Sequence, residues 1–319
     1  MSVSTVSLAL RDAPQVAEGT RRRVHDVAAE LGYEYRPRRA SIPGATSTRL
    51  THLTFSTAVE PMDPFYTQIL AGAESECRRH GIELYYNQME QTATQVVKQH
   101  EQAQAVLVVG TVDEDTVIHL QHLGKPMVLI DNNLPHLGID RVLTENVGSV
   151  YRTVIKLAAW GHARIAFMRG RHVPSLQERW QGYEAAIDRL GLETIELWRV
   201  EEISRSAGRR SLEDLLAGGG RPDFSALVCF NDAVALEAIH TLQDHGLDVP
   251  GDVSVVGFDG IEISQMIRPA LTTCQVQRTL MGRMSVRRLI ERAGDPMAPA
   301  QAQVLDTIFI ERASTRSIT

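Results

Sequence analysis

The stretch ARIAFMRG, residues 163–170, is a short run of small and apolar residues closed by an Arg and a Gly. With a helical segment near 175–190 behind it, a run this short fits a buried strand of a parallel sheet. Its weight comes from what stands on either side. Before it, LTHLTF (50–55), IELYYN (82–87), AVLVVG (105–110), PMVLID (126–131) and RVLTEN (141–146) are strand-like. They alternate with helical segments near 64–80, after Asn87, near 113–123 and up to Trp160. After it come helices near 175–190 and 206–217, ALVCFN (226–231), a helix to His245, and VSVVGFD (253–259). The alternation therefore runs once, pauses near Gly161 and starts again. The expected fold class is α/β, with two doubly wound parallel-sheet lobes in series, each covered by helices on both faces.

The head of the chain is different. Val3, Val6 and Leu10 have helical spacing, Ser2 or Ser4 can cap the start, and Asp12-Ala13-Pro14 stops the helix. A second helix spans about Ala17–Leu31, with Val24, Val27, Ala28 and Leu31 on one face and Gly32 as its stop. From Tyr33 to Thr48 the composition turns to Arg, Pro, Gly, Ser and Thr, the mark of a linker. A partial all-α head thus precedes the two lobes.

Composition narrows the class. Of 319 residues, 43% are hydrophobic and 23% charged, which suits a globular protein with substantial cores. The longest apolar runs, 105–109 and 127–130, fall far below the roughly 20 residues of a membrane span. Residues 1–10 hold no Lys or Arg, so they lack the basic region of a secretory signal. Cys77, Cys229 and Cys274 are odd in number and far apart, which suggests neither a disulfide framework nor a zinc site. They read as small buried residues in a reducing, cytoplasmic compartment. Residues 1–49 carry eight basic against five acidic side chains, and the remainder 25 against 34. A basic head on an acidic body is the asymmetry expected when only the head meets a polyanion.

Ligands of parallel sheets bind beyond the carboxyl ends of the strands. The residues there are Asp63-Pro64-Phe65-Tyr66, Asp131-Asn132-Asn133, Glu145-Asn146, Asn231-Asp232 and Phe258-Asp259, with Arg179 and Trp180 on the helix after ARIAFMRG. Carboxylates, amides and an Arg interleaved with aromatics suit a polyol, whose hydroxyls need donors and acceptors and whose ring stacks on aromatic faces. Any single Asp or Asn there is equally well a turn former or helix N-cap, but their coincidence at one edge of both lobes favours a site. No G-x-G-x-x-G, G-x-x-x-x-G-K-[ST], G-x-S-x-G or H-E-x-x-H is present, and no cofactor or metal is expected. Glu237-x-x-His240 has no second E-x-x-H beside it and reads as a solvated helix face, as do His119 and His122. An enzyme is therefore not expected.

In family order, SVSTVSLAL (2–10), TRRRVHDVAAELGY (20–33), DPFY (63–66), WGHARIAF (160–167), ERWQGY (178–183), FND (230–232), VSVVGFD (253–259), LTT (271–273) and ERAST (311–315) resemble the lactose-repressor and galactose-repressor (LacI/GalR) family of bacterial transcriptional regulators. The resemblance implies a helix-turn-helix DNA-binding domain over 1–35 and a hinge over 36–48. It further implies an effector domain resembling periplasmic sugar-binding proteins, with one lobe from 49–161 plus 278–304 and the other from 162–275 plus 305–319. Three passages between lobes are placed near Gly161-His162, Gln275–Arg278 and Val304–Phe309. Arg179 matches the family Arg that clamps effector hydroxyls, Asn231 the Asn of its N-D motif, and Asp259 the Asp after V-G-F. Asp63, Phe65, Tyr66 and Asn146 match further pocket positions.

In the head, Val3, Ser4 and Leu8 stand where base-reading side chains stand, and Thr5 and Ser7 match phosphate-contacting hydroxyls. Arg11, Tyr33, Arg38 and Arg39 are further expected DNA contacts, with Ile42 at the position of the minor-groove Leu. Leu8 occupies a position often held by Arg, and an apolar side chain reads a thymine methyl rather than guanine. Pro43-Gly44 would end a hinge helix early, and the segment Gln88–Gln104 is shorter than usual. The expected function is a repressor acting as a homodimer on pseudo-palindromic operator DNA, controlled by a small sugar or polyol effector, with no membrane partner. The runner-up is a periplasmic-type sugar-binding protein without DNA function, which would need the basic leader that residues 1–10 lack. The recognition helix begins at Ser2 with no preceding helix and turn, so the expectation is that the true start lies upstream.

Overall fold

The computed structural model describes residues 6, 9, 17–30, 50–57, 63–89, 92–170, 173–198, 206–217 and 220–319. The chain divides into two compact units, Met1–Ser47 and Thr48–Thr319. In the first, Val6 and Ala9 are helical, and α1 spans Glu18–Glu30. Val24 is buried in that helix while Val27, expected on the same face, is exposed. An Arg22–Glu18 pair one turn apart lies on its solvent side.

The second unit holds two six-stranded sheets. The first lobe is built from β1 (His52–Thr57), α2 (Pro64–His80), β2 (Glu83–Gln88), α3 (Ala93–His100), β3 (Val106–Val109), α4 (Glu114–Gln121), β4 (Met127–Ile130) and β5 (Asp140–Thr144). After α5 (Asn146–Ala159) the second lobe follows with β6 (Ile165–Arg169), α6 (Pro174–Leu190), β7 (Ile195–Trp198), α7 (Ser206–Leu216), β8 (Ala226–Cys229), α8 (Asp232–Asp244), β9 (Ser254–Asp259) and β10 (Thr272–Gln275). Then α9 (Arg278–Gly294), β11 (Ala302–Leu305) and β12 (Ile308–Ile310) close the chain. The strand orders are β11-β5-β4-β3-β1-β2 and β12-β10-β9-β8-β6-β7. Every pairing is parallel except β10 with β12. Strands β3, β4 and β8 are buried along their whole length, as a sheet covered on both faces requires.

Five elements go beyond the alternation read from the sequence, namely β7, β10, α9, β11 and β12. Strand β7 adds an edge to the second sheet beside β6, and α9 lies on the first lobe against α2. The segment expected to be short, after Gln88, contributes only the eight-residue α3.

Close helix crossings fix each lobe. A Cβ on Gly72 of α2 would lie 2.2 Å from the Thr279 carbonyl oxygen, and one on Gly282 of α9 would lie 2.0 Å from that of Ile69. The second lobe repeats the device, since a Cβ on Gly182 of α6 would lie 2.2 Å from the Val147 carbonyl oxygen of α5. Helix α5 packs on α6, β6 and β10. The first passage between the lobes therefore falls at Glu145–Asn146, upstream of Gly161-His162. The chain returns to the first lobe between β10 and α9 and leaves it again between β11 and β12. The first and third passages are laced together by Glu145 N–H to the Leu305 carbonyl (2.8 Å), Thr307 Oγ1 to Ser149 Oγ (2.8 Å) and an Arg152–Asp306 ion pair.

Cys77, Cys229 and Cys274 are free and buried. Among the described residues no helix is long and apolar enough to cross a membrane, and no group of three His, Cys, Asp or Glu is placed to hold a metal ion.

Candidate functional site

The carboxyl ends of β4, β5, β8 and β9 deliver polar residues to one place. Strand β4 is followed by Asp131, whose φ of 57° lies in the left-handed region, and β9 ends at Asp259, whose φ is 117°. Residues other than glycine rarely hold such backbone angles unless the surroundings enforce them, and they cluster where ligands are clamped. One such aspartate stands at a strand end of each lobe.

Between them lies Arg179, on the second turn of α6. This helix is anchored by Trp180, packed edge-on to Phe167, and by Tyr183, whose hydroxyl donates to the Ile165 carbonyl and accepts from Ile195 N–H. Arg179 is only 4% exposed, so each of its donors needs a partner. Its Nε donates to Asn146 Oδ1 (3.0 Å), Nη1 donates to the Phe230 carbonyl, and Nη2 lies 3.5 Å from Asp259 Oδ1. The guanidinium also lies over the Phe258 ring at 3.7 Å, a cation–π contact strengthened by exclusion of water.

Asn146 is held from both sides. Its Nδ2 donates to Glu178 Oε2 (2.9 Å) while its Oδ1 accepts from Arg179, so only one orientation of the amide satisfies both neighbours. Glu178 takes a second amide from Asn133 (2.7 Å), whose own oxygen accepts from Arg141 Nε (3.1 Å). Glu178 was not among the residues expected from sequence, and it ties α6 of the second lobe to a strand end of the first. Its only sequence signal is its place beside Arg179 in ERWQGY.

Tyr66 donates its hydroxyl to Asp131 (3.1 Å) and packs edge-on to the buried Phe65. Two expected site residues have their side chains engaged as helix caps. Asp63 accepts from Phe65 and Tyr66 N–H at the start of α2, and Asn231 accepts from Val234 N–H (2.9 Å) at the start of α8. Asp232, next in line, is fully buried and accepts from Thr273 Oγ1 (2.5 Å) and Ile261 N–H (2.8 Å). It ties the turn after β9 to β10. Asn146, Arg179, Asp259 and Glu178 are thus joined by direct contacts, and the Tyr66–Asp131 pair is coupled to them through the charges of Arg179 and Glu178.

Burial pushes the acidic groups of the site toward their protonated forms, Asp259 furthest. Burial raises Asp259 to about 8, with the neighbouring Asp232 and Asp131 adding to the rise and Arg179 opposing it. Burial likewise raises Asp131 and Asp232 to about 6 each. The Tyr66 hydroxyl is pushed well above its ordinary value, first by burial and then by Asp131. A cleft of this kind presents acceptors and protonated donors side by side, the pairing that a hydroxyl-bearing ligand requires. The DNA-contact positions read from sequence, Val3, Ser4, Thr5, Ser7, Leu8, Arg11, Tyr33, Arg38, Arg39 and Ile42, lie outside the described residues.

Comparisons with known proteins agree on the kind of molecule. Residues 154–315 match the periplasmic binding protein-like domain, and residues 1–35 match the lacI family of bacterial regulatory proteins. The HTH-type transcriptional repressor CytR of Escherichia coli (strain K12) is 28% identical over the whole chain and 94% of its own length. A transcriptional regulator CelR–cellobiose complex is 24% identical with a TM-score of 0.73, covering 98% of this chain and 96% of that one. The lac repressor dimer bound to operator and the anti-inducer ONPF is 23% identical with a TM-score of 0.73, covering 99% and 96%. These two structures share the fold. A lacI-family regulatory sequence ahead of a two-lobed periplasmic-binding-protein-like body defines a class, the bacterial DNA-binding regulators. Within it, the chain belongs to the lacI family and is a DNA-binding transcriptional regulator.

Proposed function

We propose that this regulator is a cytoplasmic repressor that acts as a homodimer on pseudo-palindromic operator DNA and is controlled by a small, sugar-like polyol held between its lobes. It catalyses no reaction. Arg179, Asn146, Tyr66 and Asp259 contact the effector, with Asp63, Phe65 and Asn231 shaping the pocket around them. Val3, Ser4 and Leu8 read bases, while Thr5, Ser7, Arg11, Tyr33, Arg38, Arg39 and Ile42 hold the backbone and minor groove.

One observation carries this reading. A single buried Arg179 reaches the ends of three strands, through Asn146 at the passage between the lobes, the Phe230 carbonyl and Asp259, while its neighbour Glu178 takes an amide from Asn133 of the first lobe, all at the edge where such sheets bind ligands. A hydroxyl-bearing ligand entering here exchanges these protein contacts for its own and changes the relation of the lobes. In a dimer that change alters the spacing of the two heads on the operator. Dimerisation also supplies the effective concentration that one head, with few phosphate contacts, lacks.

Calorimetric titration of ribose, cellobiose and a panel of neutral sugars and polyols into the full chain tests the site. At least one compound is expected to bind the wild type, with binding lost in Arg179→Ala. Equal affinity for that compound in both proteins would remove Arg179 from the site.

A further inference from the structure

A second guanidinium is buried beside the cleft. Arg278, the first residue of α9, is 3% exposed, and its Nε finds no hydrogen-bond partner among the described residues. Its Nη1 donates to the Pro64 carbonyl (3.3 Å) at the start of α2 in the first lobe. Its Nη2 donates to the Gly260 carbonyl (2.6 Å) in the turn after β9 of the second. Asp63, Asp232, Asp259 and Glu262 surround it and favour its charge against the burial that opposes it. One side chain therefore spans the two lobes through main-chain oxygens.

Both ends of that span are firm. On the first-lobe side, Arg278 rides on α9, which is locked to α2 by the Gly72 and Gly282 crossing. On the second-lobe side, Gly260 has a φ of 71°, and a Cβ there would lie 2.9 Å from Gln275 Cα, so the turn has no slack. Gly260 directly follows Asp259, the partner of Arg179. A tie between Gln68 and Glu262 (3.4 Å) crosses the same gap at the surface, where water competes with it.

We propose that Arg278 is a positioning residue, a latch that holds the lobes at their present angle and couples that angle to the state of Asp259. The inference deepens the effector reading, and rests on it for the identity of the signal alone. Movement of Asp259 by a ligand displaces the Gly260 carbonyl, and Arg278 passes the displacement to α9 and α2. Alongside the Glu178–Asn133 bridge, this buried contact supplies the differential interaction that a lobe motion needs.

Double electron–electron resonance on the full chain, with no ligand added, tests the latch. Spin labels on Gln102→Cys in the first lobe and Asp244→Cys in the second report the distance between lobes, and the three native cysteines are buried. Labelled protein is diluted with unlabelled protein so that each dimer carries one pair. The wild type is expected to give one narrow distribution. Arg278→Met, which removes hydrogen bonds from a charged donor, is expected to raise the ratio of long to short distances about tenfold. Arg278→Lys, which keeps the cation and reaches one carbonyl, is expected to recover most of the short population. A wild-type distribution in a folded Arg278→Met protein overturns the proposal. If the Met variant does not fold, identical distributions in Arg278→Lys, Arg278→Gln and wild type overturn it. Such a failure leaves the calorimetric result for Arg179 untouched, so the two readings fall separately.

Discussion

Arg179 serves an amide, a carbonyl, a carboxyl group and an aromatic face at once, and only a planar fork with several donors fits all four. A strand-end survey brings out such a residue because its neighbours in space are themselves strand-end residues. Tyr66, Asn146 and Asp259 were legible on the same ground. Asp63 and Asn231 were legible as special positions, yet their side chains are engaged as helix caps, because the first free N–H groups of α2 and α8 lie within reach. Glu178 and Arg278 were hidden, since a Glu or Arg on a helix ordinarily reads as a solvated face and only tertiary packing buries it.

Asp259 supplies a stability test at the residue scale. Its folded-state value of about 8 lies above the ordinary carboxylate value of 3.8. The folded protein thus binds this proton more tightly than the unfolded chain, and stability from it is full below about pH 4 and fades as the pH rises through 8. Asp259→Asn is expected to flatten that decline and to raise the thermal midpoint relative to wild type at pH 8 to 9. Parallel melting curves across pH 5 to 9 in the two proteins would refute it. In the head, Leu8→Arg is expected to shift base preference within the half-site toward guanine, which selection from a random operator library reads out; an unchanged consensus would remove Leu8 from the base-reading set.

At the scale of elements, the strands were legible where they are apolar on both faces, as in AVLVVG and PMVLID, which became β3 and β4. Strand β7 was not, because a four-residue edge with Glu196 in its middle carries little period. Helix α9 carries an apolar stripe at Met281, Val286, Leu289 and Ala293, interrupted by basic residues. Arg288 is buried there because Asp140 of β5 meets it at 2.9 Å and meets Arg292 at 2.6 Å. Glycines mark where helices touch. Gly282→Ala would drive a methyl into the Ile69 carbonyl and is expected to destabilise the body by roughly 1–3 kcal/mol or more. Gly19→Ala in α1, where an added Cβ would meet nothing within 4 Å among the described residues beyond its own helix, is expected to stabilise that helix by roughly 0.5–1 kcal/mol. Chemical denaturation checks both, and opposite signs are the expected outcome.

At the scale of the molecule, repetition made the fold readable: a second run of βαβα after the first leaves few arrangements other than two parallel-sheet lobes. The first passage between them was harder to place. Whether α5 covers the first sheet or the second depends on the seat that Gly182 offers Val147, and no local pattern in residues 146–159 reports that. The uneven charge, basic over residues 1–49 and acidic beyond, matches a regulator whose head meets DNA while its body stays clear of it.

Operator affinity measured with and without the cleft ligand tests the central claim most directly. Fluorescence anisotropy on an operator selected from random DNA, titrated with the compound found by calorimetry, is expected to show operator affinity changing by about 5- to 150-fold on ligand binding in the wild type. Arg179→Ala is expected to bind the same operator with no response to the ligand. A wild-type dose response in Arg179→Ala, or a bound ligand that leaves operator affinity unchanged in the wild type, would contradict control of DNA binding from this cleft.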